Sequence, residues 1–394
     1  MTQIFSPWPS FTQEEADAVS EVLLSNKVNY WTGTRCREFE AAFAEWTRVP
    51  HAIALANGTL ALDVALRALG VGPGDEVVVT SRTFIASVSS IVLLGAKPVF
   101  ADVDPDSQNI SAESISEVLS DKTKAIICVH LAGWPCDMDD IMELASTNGL
   151  KVIEDCAQAH GAKYKNQPVG SIGDVGCWSF CQDKIMTTGG EGGMVTTNSE
   201  ALWKKMWSFK DHGKSYDAIY NKSHPPGFRW LHTSFGTNYR MTEMQAAIGL
   251  IQLRRMSTWT EARQNNAKRI WGTASEYPVF RVPEVPEHIE HAAYKAYIFV
   301  RPDELEQGWS RDRMMEEIQR LGVPCFSGSC SEVYQEKAFE TGDLRPTAPL
   351  PQAQTLGETS LMFLVHPTIT ESEIQNVCDV IGEVAKMAQK ENNH

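Results

Sequence analysis

The segment Cys177–Thr197, CWSFCQDKIMTTGGEGGMVTT, places one lysine, Lys184, between an apolar stretch and four glycines. A lysine amine in a suitable environment attacks carbonyl groups and forms imines, chemistry that few other side chains can do. A nucleotide-loop reading fails on order. A P-loop needs its lysine after the glycines and a helix behind it, whereas Lys184 precedes them and a strand-like run, GMVTT, follows. The ordinary alternative is a solvated surface lysine, so the surroundings must decide.

Three other loops bear on that lysine, each at the carboxyl end of an expected strand, where ligands gather in open α/β sheets. In ALANGTLALDVAL, Asn57-Gly58-Thr59 stands between a strand and a helix, so free backbone N–H groups and the Thr59 hydroxyl can cradle an anion such as phosphate; any strand-to-helix turn can also contain Gly-Thr for purely local reasons. In VIEDCAQAHGA, Glu154 and Asp155 end an apolar strand. A carboxylate there either holds a cationic ring nitrogen or caps the strand end. In TSRTFIAS, Phe84 offers a flat stacking face or, read by itself, core packing. Together the four loops supply an amine, an anion cradle, an acid and an aromatic face. Pyridoxal phosphate needs those groups: a Schiff-base lysine, a phosphate site, an acid on the pyridinium nitrogen and a stacking partner.

The elements that position these residues follow from the hydrophobic pattern. Short Val- and Ile-rich runs at 52–56, 76–80, 98–104, 124–130, 150–156, 177–180 and 193–197 alternate with helix-like stretches, which indicates βαβ units and a largely parallel sheet. Thr12 to Glu15 reads as a capping box opening a helix. Near residue 250 the texture changes: residues 241–274 read as one or two long helices, followed by a strand (AYKAYIFVRP) and two further helices. The expectation is a large α/β domain over 1–250 and a smaller α+β domain over 251–394.

Composition closes several doors. The chain has 394 residues, 43% hydrophobic and 22% charged, with a formal net charge of −15. That balance opposes nucleic-acid binding, which demands a basic surface, and no polybasic patch or apolar run of membrane-spanning length is present. The N-terminus shows neither a basic nor an apolar signal region. Nine cysteines without a C-x-x-C spacing fit reduced thiols in a cytoplasmic enzyme better than disulfides, and no Cys/His cluster has zinc spacing, so no metal is expected.

With GTLAL, TFIAS, VIEDCAQAHGA, GSIGDVGCWSF, K…TTGGEGGMV and FGTNYRMTEMQAAIGLIQL in that order, the chain resembles the DegT/DnrJ/StrS sugar aminotransferases, pyridoxal 5′-phosphate enzymes of the type I (aspartate aminotransferase) fold. The resemblance implies a large domain with a mostly parallel mixed sheet flanked by helices, plus a smaller α+β domain. It implies that Lys184 forms the imine with the cofactor and that Asp155 pairs with the pyridinium nitrogen. Gln158 would contact the ring face or its 3-hydroxyl; Gly58, Thr59 and Ser179 would hold the phosphate; and Phe84 would lie against the ring. Asn238 would reach the phosphate of a neighbouring subunit, making the active unit a homodimer with shared sites, and Arg240 would be structural support. Two features depart from the family pattern: Cys181 stands where histidine or tyrosine is usual, and TTGGEGG has one extra glycine, Gly189 or Gly190.

The implied reaction is a ping-pong transfer from L-glutamate to a nucleotide-linked keto-sugar, with pyridoxamine phosphate between the halves. Related dehydratases carry histidine in place of Lys184. TTGGEGGMV is similar to the loops of sugar C4-aminotransferases, and the whole chain, including FSPWPSFTQEEADAVSEVLLSNKVNYWTG and FKDHGKSYDAIY, is similar to bacterial enzymes that aminate UDP-4-keto-6-deoxy-N-acetylglucosamine for surface glycans. A GDP- or dTDP-linked 4-keto or 3-keto sugar, or a cyclitol, is the alternative within the family. An acyltransferase-like enzyme of the same fold and a non-catalytic cofactor-binding regulator are the alternatives outside it. Trp31, His212 and Tyr239 are candidate substrate-side residues, each with a competing packing role.

Overall fold

The computed structural model describes residues 5–223, 227 and 229–390. Among the described residues, nine strands precede residue 200: β1 (His51–Leu55), β2 (Glu76–Thr80), β3 (Lys97–Ala101), β4 (Thr123–Val129), β5 (Lys151–Asp155), the short β6 (Lys163–Tyr164) and β7 (Gln167–Pro168), β8 (Val175–Ser179) and β9 (Gly193–Thr197). Seven of them form one sheet in the order β1-β9-β8-β5-β4-β2-β3. β9 runs antiparallel to both its neighbours, and the four pairings from β8 to β3 are parallel. The apolar runs are continuous because both faces are covered. Val77, Val79, Ile127 and Ile153 enter one core, while Val78, Ile126, Cys128 and Val152 enter another on the opposite face.

Helices α1 (Gln13–Leu24), α2 (Arg35–Thr47), α3 (Gly58–Ala68), α4 (Ala86–Leu93), α5 (Ala112–Ser116), α6 (Met138–Asn148), α7 (Glu200–Lys210) and α8 (Tyr216–Tyr220) accompany this sheet. α3 supplies Ala61, Val64 and Ala65 to the first core and α6 supplies Ile141 to the second. The Thr12–Glu15 capping box is present at the start of α1.

α9 (Glu243–Ser275) is one unbroken helix of 33 residues, roughly 50 Å long at about 1.5 Å per residue. The division at 250/251 expected from sequence texture falls inside it. A helix satisfies its own backbone, so the chain passes from one core to the next without a linker. Behind it come β10 (Phe280–Arg281), β11 (Ile289–Glu290), β12 (Ala296–Val300), α10 (Arg311–Arg320), β13 (Cys325–Phe326), α11 (Pro351–Thr359), β14 (Ser360–Phe363) and α12 (Glu371–Ala388). An antiparallel sheet, β10-β12-β14-β13, packs with α10 and α12 around Ile298, Phe363, Met314 and Ile381. The start of the chain joins this second lobe: Phe5 packs on its core, and the Ser6 N–H donates to Glu373 at 2.6 Å. β11 pairs with the β6–β7 hairpin, tying the lobes together from the other side.

Candidate active site

Lys184 lies in the turn between β8 and β9, its side chain 17% exposed. Its Nζ is 3.7 Å from Asp183 Oδ1 and 5.3 Å from the centre of the Tyr294 ring. Asp183 is fixed in turn by the Tyr294 hydroxyl, which donates to Oδ2 at 2.5 Å. Burial pushes the Asp183 carboxyl up, but the Lys184 charge and the Tyr294 hydroxyl outweigh it and hold the group below the ordinary range. The Lys184 carbonyl accepts from the Trp8 indole at 2.9 Å, so the N-terminal strap braces the lysine backbone. The glycines beyond use their freedom: Gly189 and Gly190 have φ of +86° and +112°, and the Gly190 N–H donates to Thr187 Oγ1. Both glycines of the unusual pair therefore shape the turn. Cys181 is half-buried, and its N–H donates to Ser179 Oγ at 3.3 Å.

The two carboxylates at the end of β5 separate into different roles. Glu154 is fully buried and takes four hydrogen bonds, from His130 Nε2 (3.0 Å) and from the N–H groups of Gly170, Ile172 and Gly173 (2.7–2.8 Å). The Cys136 N–H donates to His130 Nδ1, which leaves Nε2 as the protonated nitrogen. Burial raises the Glu154 carboxyl, but these donors more than reverse it, and the group is held below its usual range. Cys156 lies close enough to His130 and Glu154 to suggest metal ligands, but His130 and Glu154 are already committed to these bonds.

Asp155 points the other way and keeps capacity to spare. It accepts from Ser87 Oγ at 2.8 Å and from the Ala157 N–H at 3.1 Å. Burial pushes its carboxyl up, opposed by those two donors and by the Lys184 charge. A buried acid with few partners, within electrostatic reach of a lysine amine, suits a cationic ring nitrogen.

The residues expected to cradle an anion lie where α3 meets β8. Asn57 Oδ1 caps α3 by accepting from the Leu60 N–H at 3.0 Å, while the first N–H groups, at Gly58 and Thr59, have no acceptor within the helix. Ser179, the last residue of β8, abuts Gly58 so closely that a Cβ there would lie 2.6 Å from its own. Thr59 is exposed at the same helix end. Gln158 is buried, and its Oε1 accepts from the Ala132 N–H at 2.8 Å, which fixes the amide plane. Phe84 corrects the reading taken from its loop alone: it is 69% exposed, not core. An aromatic face left open beside the Asp155 partner Ser87 fits a stacking role better.

The remaining candidates divide. Asn238 is exposed, with Oδ1 accepting from the Arg240 N–H at 3.3 Å. Arg240 pairs with the buried Asp211 at 3.0 Å, the supporting role expected of it. His212 is exposed in a turn with φ of +59°. Tyr239 donates to Asp63 at 3.0 Å and its backbone braces the end of β1, a packing role. Trp31 packs edge-on against Tyr30 and Trp207 with the Lys214 amine over its ring, also packing, although its indole N–H has no acceptor among the described residues. Sequence reading missed Ser87, Trp8, Asp183 and Tyr294. Ser87 lay inside the TFIAS segment, one helical turn beyond Phe84; the others carried no local signal.

A lysine amine and a buried acid with spare acceptor capacity, both at the carboxyl ends of parallel strands, fit a pyridoxal-phosphate-dependent aminotransferase of the type I fold. The chain belongs to the DegT/DnrJ/EryC1/StrS aminotransferase family, whose model matches residues 9–382. It is 35% identical over 379 residues to a GDP-perosamine synthase of Escherichia coli O157:H7, covering 95% of this chain and 96% of that one. It is also 35% identical over 352 residues to a UDP-N-acetyl-3-dehydro-α-D-glucosamine 3-aminotransferase of Acidithiobacillus ferrooxidans, covering 89% and 88%. Among solved structures, an aminotransferase from Psychrobacter cryohalolentis matches with 63% identity and a TM-score of 0.96, over 98% of this chain and 99% of that one.

Proposed function

We propose that the chain is a cytoplasmic, homodimeric nucleotide-sugar aminotransferase that moves the amino group of L-glutamate to the C4 ketone of a UDP-linked 4-keto-6-deoxy-N-acetylhexosamine. The observation that carries the reaction is the placement of Lys184 within electrostatic reach of Asp155, an acid that keeps unused hydrogen-bonding capacity. Nucleotide-sugar relatives along nearly the whole chain support the substrate class. The TTGGEGGMV loop supports amination at C4.

Bound pyridoxal phosphate would supply a sink for the negative charge left when a proton leaves the donor's Cα. The protein's own groups do the rest. Asp155, steadied by Ser87 and Ala157, would keep the ring nitrogen protonated by placing a negative charge beside it. Gly58, Thr59 and Ser179 would hold the phosphate, with the α3 N-terminus adding its partial positive charge. Gln158, its carbonyl engaged by Ala132, would turn its amide N–H₂ to the ring hydroxyl, and Phe84 would cover one face of the ring. Lys184 Nζ would take the Cα proton, and Asp183 beside it would stabilise the protonated amine. Asn238 would serve the neighbouring subunit's site.

The GDP-perosamine synthases at 35% and 36% identity favour a second reading, a GDP-linked 4-keto sugar. To separate the two, cofactor-loaded protein is treated with glutamate, freed of excess, and offered UDP-4-keto-6-deoxy-N-acetylglucosamine, GDP-4-keto-6-deoxymannose or a dTDP-4-keto sugar. An amino-sugar product by mass with the UDP compound alone is expected. Product only with the GDP compound would replace the first reading by the second.

A further inference from the structure

Beside Lys184, the N-terminal strap, the Asp183 turn and the second lobe enclose a pocket of about 250 Å³. Two cations line it: Arg263, from the middle of α9, and Lys295, immediately before β12. Arg263 is only 1% exposed, yet its Nε and Nη2 find no acceptor among the described residues. Its one hydrogen bond is long, from Nη1 to the Tyr294 carbonyl at 3.4 Å, and its guanidinium lies 4.8 Å from the centre of the Trp8 ring. Lys295 Nζ lies 4.7 Å from the Tyr294 ring centre and joins no ion pair among the described residues.

The other titratable groups around the pocket do not cancel this charge. Asp183 is spoken for by Lys184 and the Tyr294 hydroxyl. Burial, together with Arg263 and Lys295, pushes His366 down to about 4, so its ring is neutral and pairs with Thr368 Oγ1. Glu373, beyond Ser6, accepts from Ser6 and from its own helix cap at Thr370. What remains is a buried guanidinium with free donors on its fork and an ammonium facing the same space. Such a pair is costly without an anion and suited to a carboxylate, which can take two parallel N–H bonds. Burial pushes Arg263 down to about 9, and burial together with the Arg263 and Lys184 charges pushes Lys295 down to about 8, only partly opposed by Asp183, the mark of charges the protein itself does not fully balance.

We propose that this pocket binds a carboxylate of the amino donor, with Arg263 and Lys295 as the anion-binding pair, and so delivers the donor amine to Lys184. Asp183 makes the junction: it lines the pocket while its Oδ1 faces the Lys184 amine. The same pair would hold the 2-oxo acid product. The inference rests on the aminotransferase reading above and adds the residues that choose the donor.

The test uses the cofactor-loaded enzyme, Lys295→Gln and Arg263→Gln. Glutarate, a dicarboxylate with no amine to transfer, is titrated calorimetrically, and glutamate dependence is measured separately from the sugar half of the cycle. Both variants should weaken glutarate binding and raise the half-saturating glutamate concentration at least tenfold, with the rate of keto-sugar amination by pre-aminated enzyme within twofold of normal. Arg263 is buried and its variant can fail to fold; Lys295→Gln then decides alone. A folded Lys295→Gln that binds glutarate and saturates with glutamate as the parent does would overturn the proposal, as would equal losses in both halves. If the parent enzyme ignores glutamate but binds glutarate through these two residues, the pocket stands and the glutamate assignment falls.

Discussion

A Cβ on Gly58 would lie 2.6 Å from the Cβ of Ser179 and 3.0 Å from its Cα. Gly58 opens α3 and Ser179 closes β8, so two elements 121 positions apart in sequence meet at a distance that only glycine permits. This approach sets Ser179 against the N-terminus of α3, whose first N–H groups have no acceptor within the helix, as the proposed anion cradle requires.

Gly58→Ala should therefore act on the cradle. Helix propensity alone would favour alanine, but the new methyl must push Ser179 backbone aside. Cofactor affinity should fall roughly tenfold, about 1.4 kcal/mol, with the fold retained. Fluorescence titration of the unloaded protein with pyridoxal phosphate checks this.

Asp155→Asn and Glu154→Gln should part company. Asn at 155 keeps the Ala157 hydrogen bond and the shape but not the charge, so turnover should drop at least a hundredfold while the melting temperature barely moves. Gln at 154 replaces a carboxylate that four donors address, and one of its own N–H groups would face a donor. That should cost about 3 kcal/mol. Because Glu154 is held below the ordinary carboxylate range, its stabilisation is fully present above the unfolded value of about 4.3. It is lost as pH falls through the lower folded value. Denaturation followed against pH should show a shallower acid slope in Glu154→Gln than in the parent.

Ser87→Ala should shift the pH dependence of the reaction. Burial raises the Asp155 carboxyl and the Ser87 hydroxyl opposes that rise. With the hydroxyl gone the carboxyl moves further up and is neutralised at a higher pH, so the acid limb of the kcat profile should move to higher pH. An unchanged limb would mean that Asp155 does not control it.

Phe84→Ala and Tyr239→Phe separate a stacking face from a packing residue. Phe84 is largely exposed, so its loss should cost under about 0.5 kcal/mol of stability yet weaken cofactor binding several-fold. Tyr239 loses one hydrogen bond to Asp63; the change should cost about 1 kcal/mol and leave the KM for the keto-sugar unaltered. Chemical denaturation and steady-state kinetics on the two variants give both numbers.

Local pattern made much of this architecture legible. The Val/Ile runs mark β2, β4 and β5 because a parallel sheet buries both faces of each strand, and the loops after β1, β5 and β8 carry the groups that converge. Strand order is another matter: nothing within GMVTT says that β9 inserts between β1 and β8 in the reverse direction. Composition changes near residue 250 because a new core begins, but a continuous helix crosses that point, so no linker marks it. Exposure of Phe84 was hidden because a phenylalanine beside a strand end looks the same in core and cleft. The braces around Lys184 were hidden by distance: Trp8 acts on Lys184 from 176 residues away, and Tyr294 acts on Asp183 from 111.

Lys184 is the amine proposed to join the cofactor. Borohydride reduction of the loaded enzyme, followed by digestion and mass spectrometry, fixes any imine where it stands. The cofactor mass is expected on the peptide containing Lys184 and on no other lysine. Its appearance on Lys295 or another lysine, or on none while activity persists, would contradict that assignment.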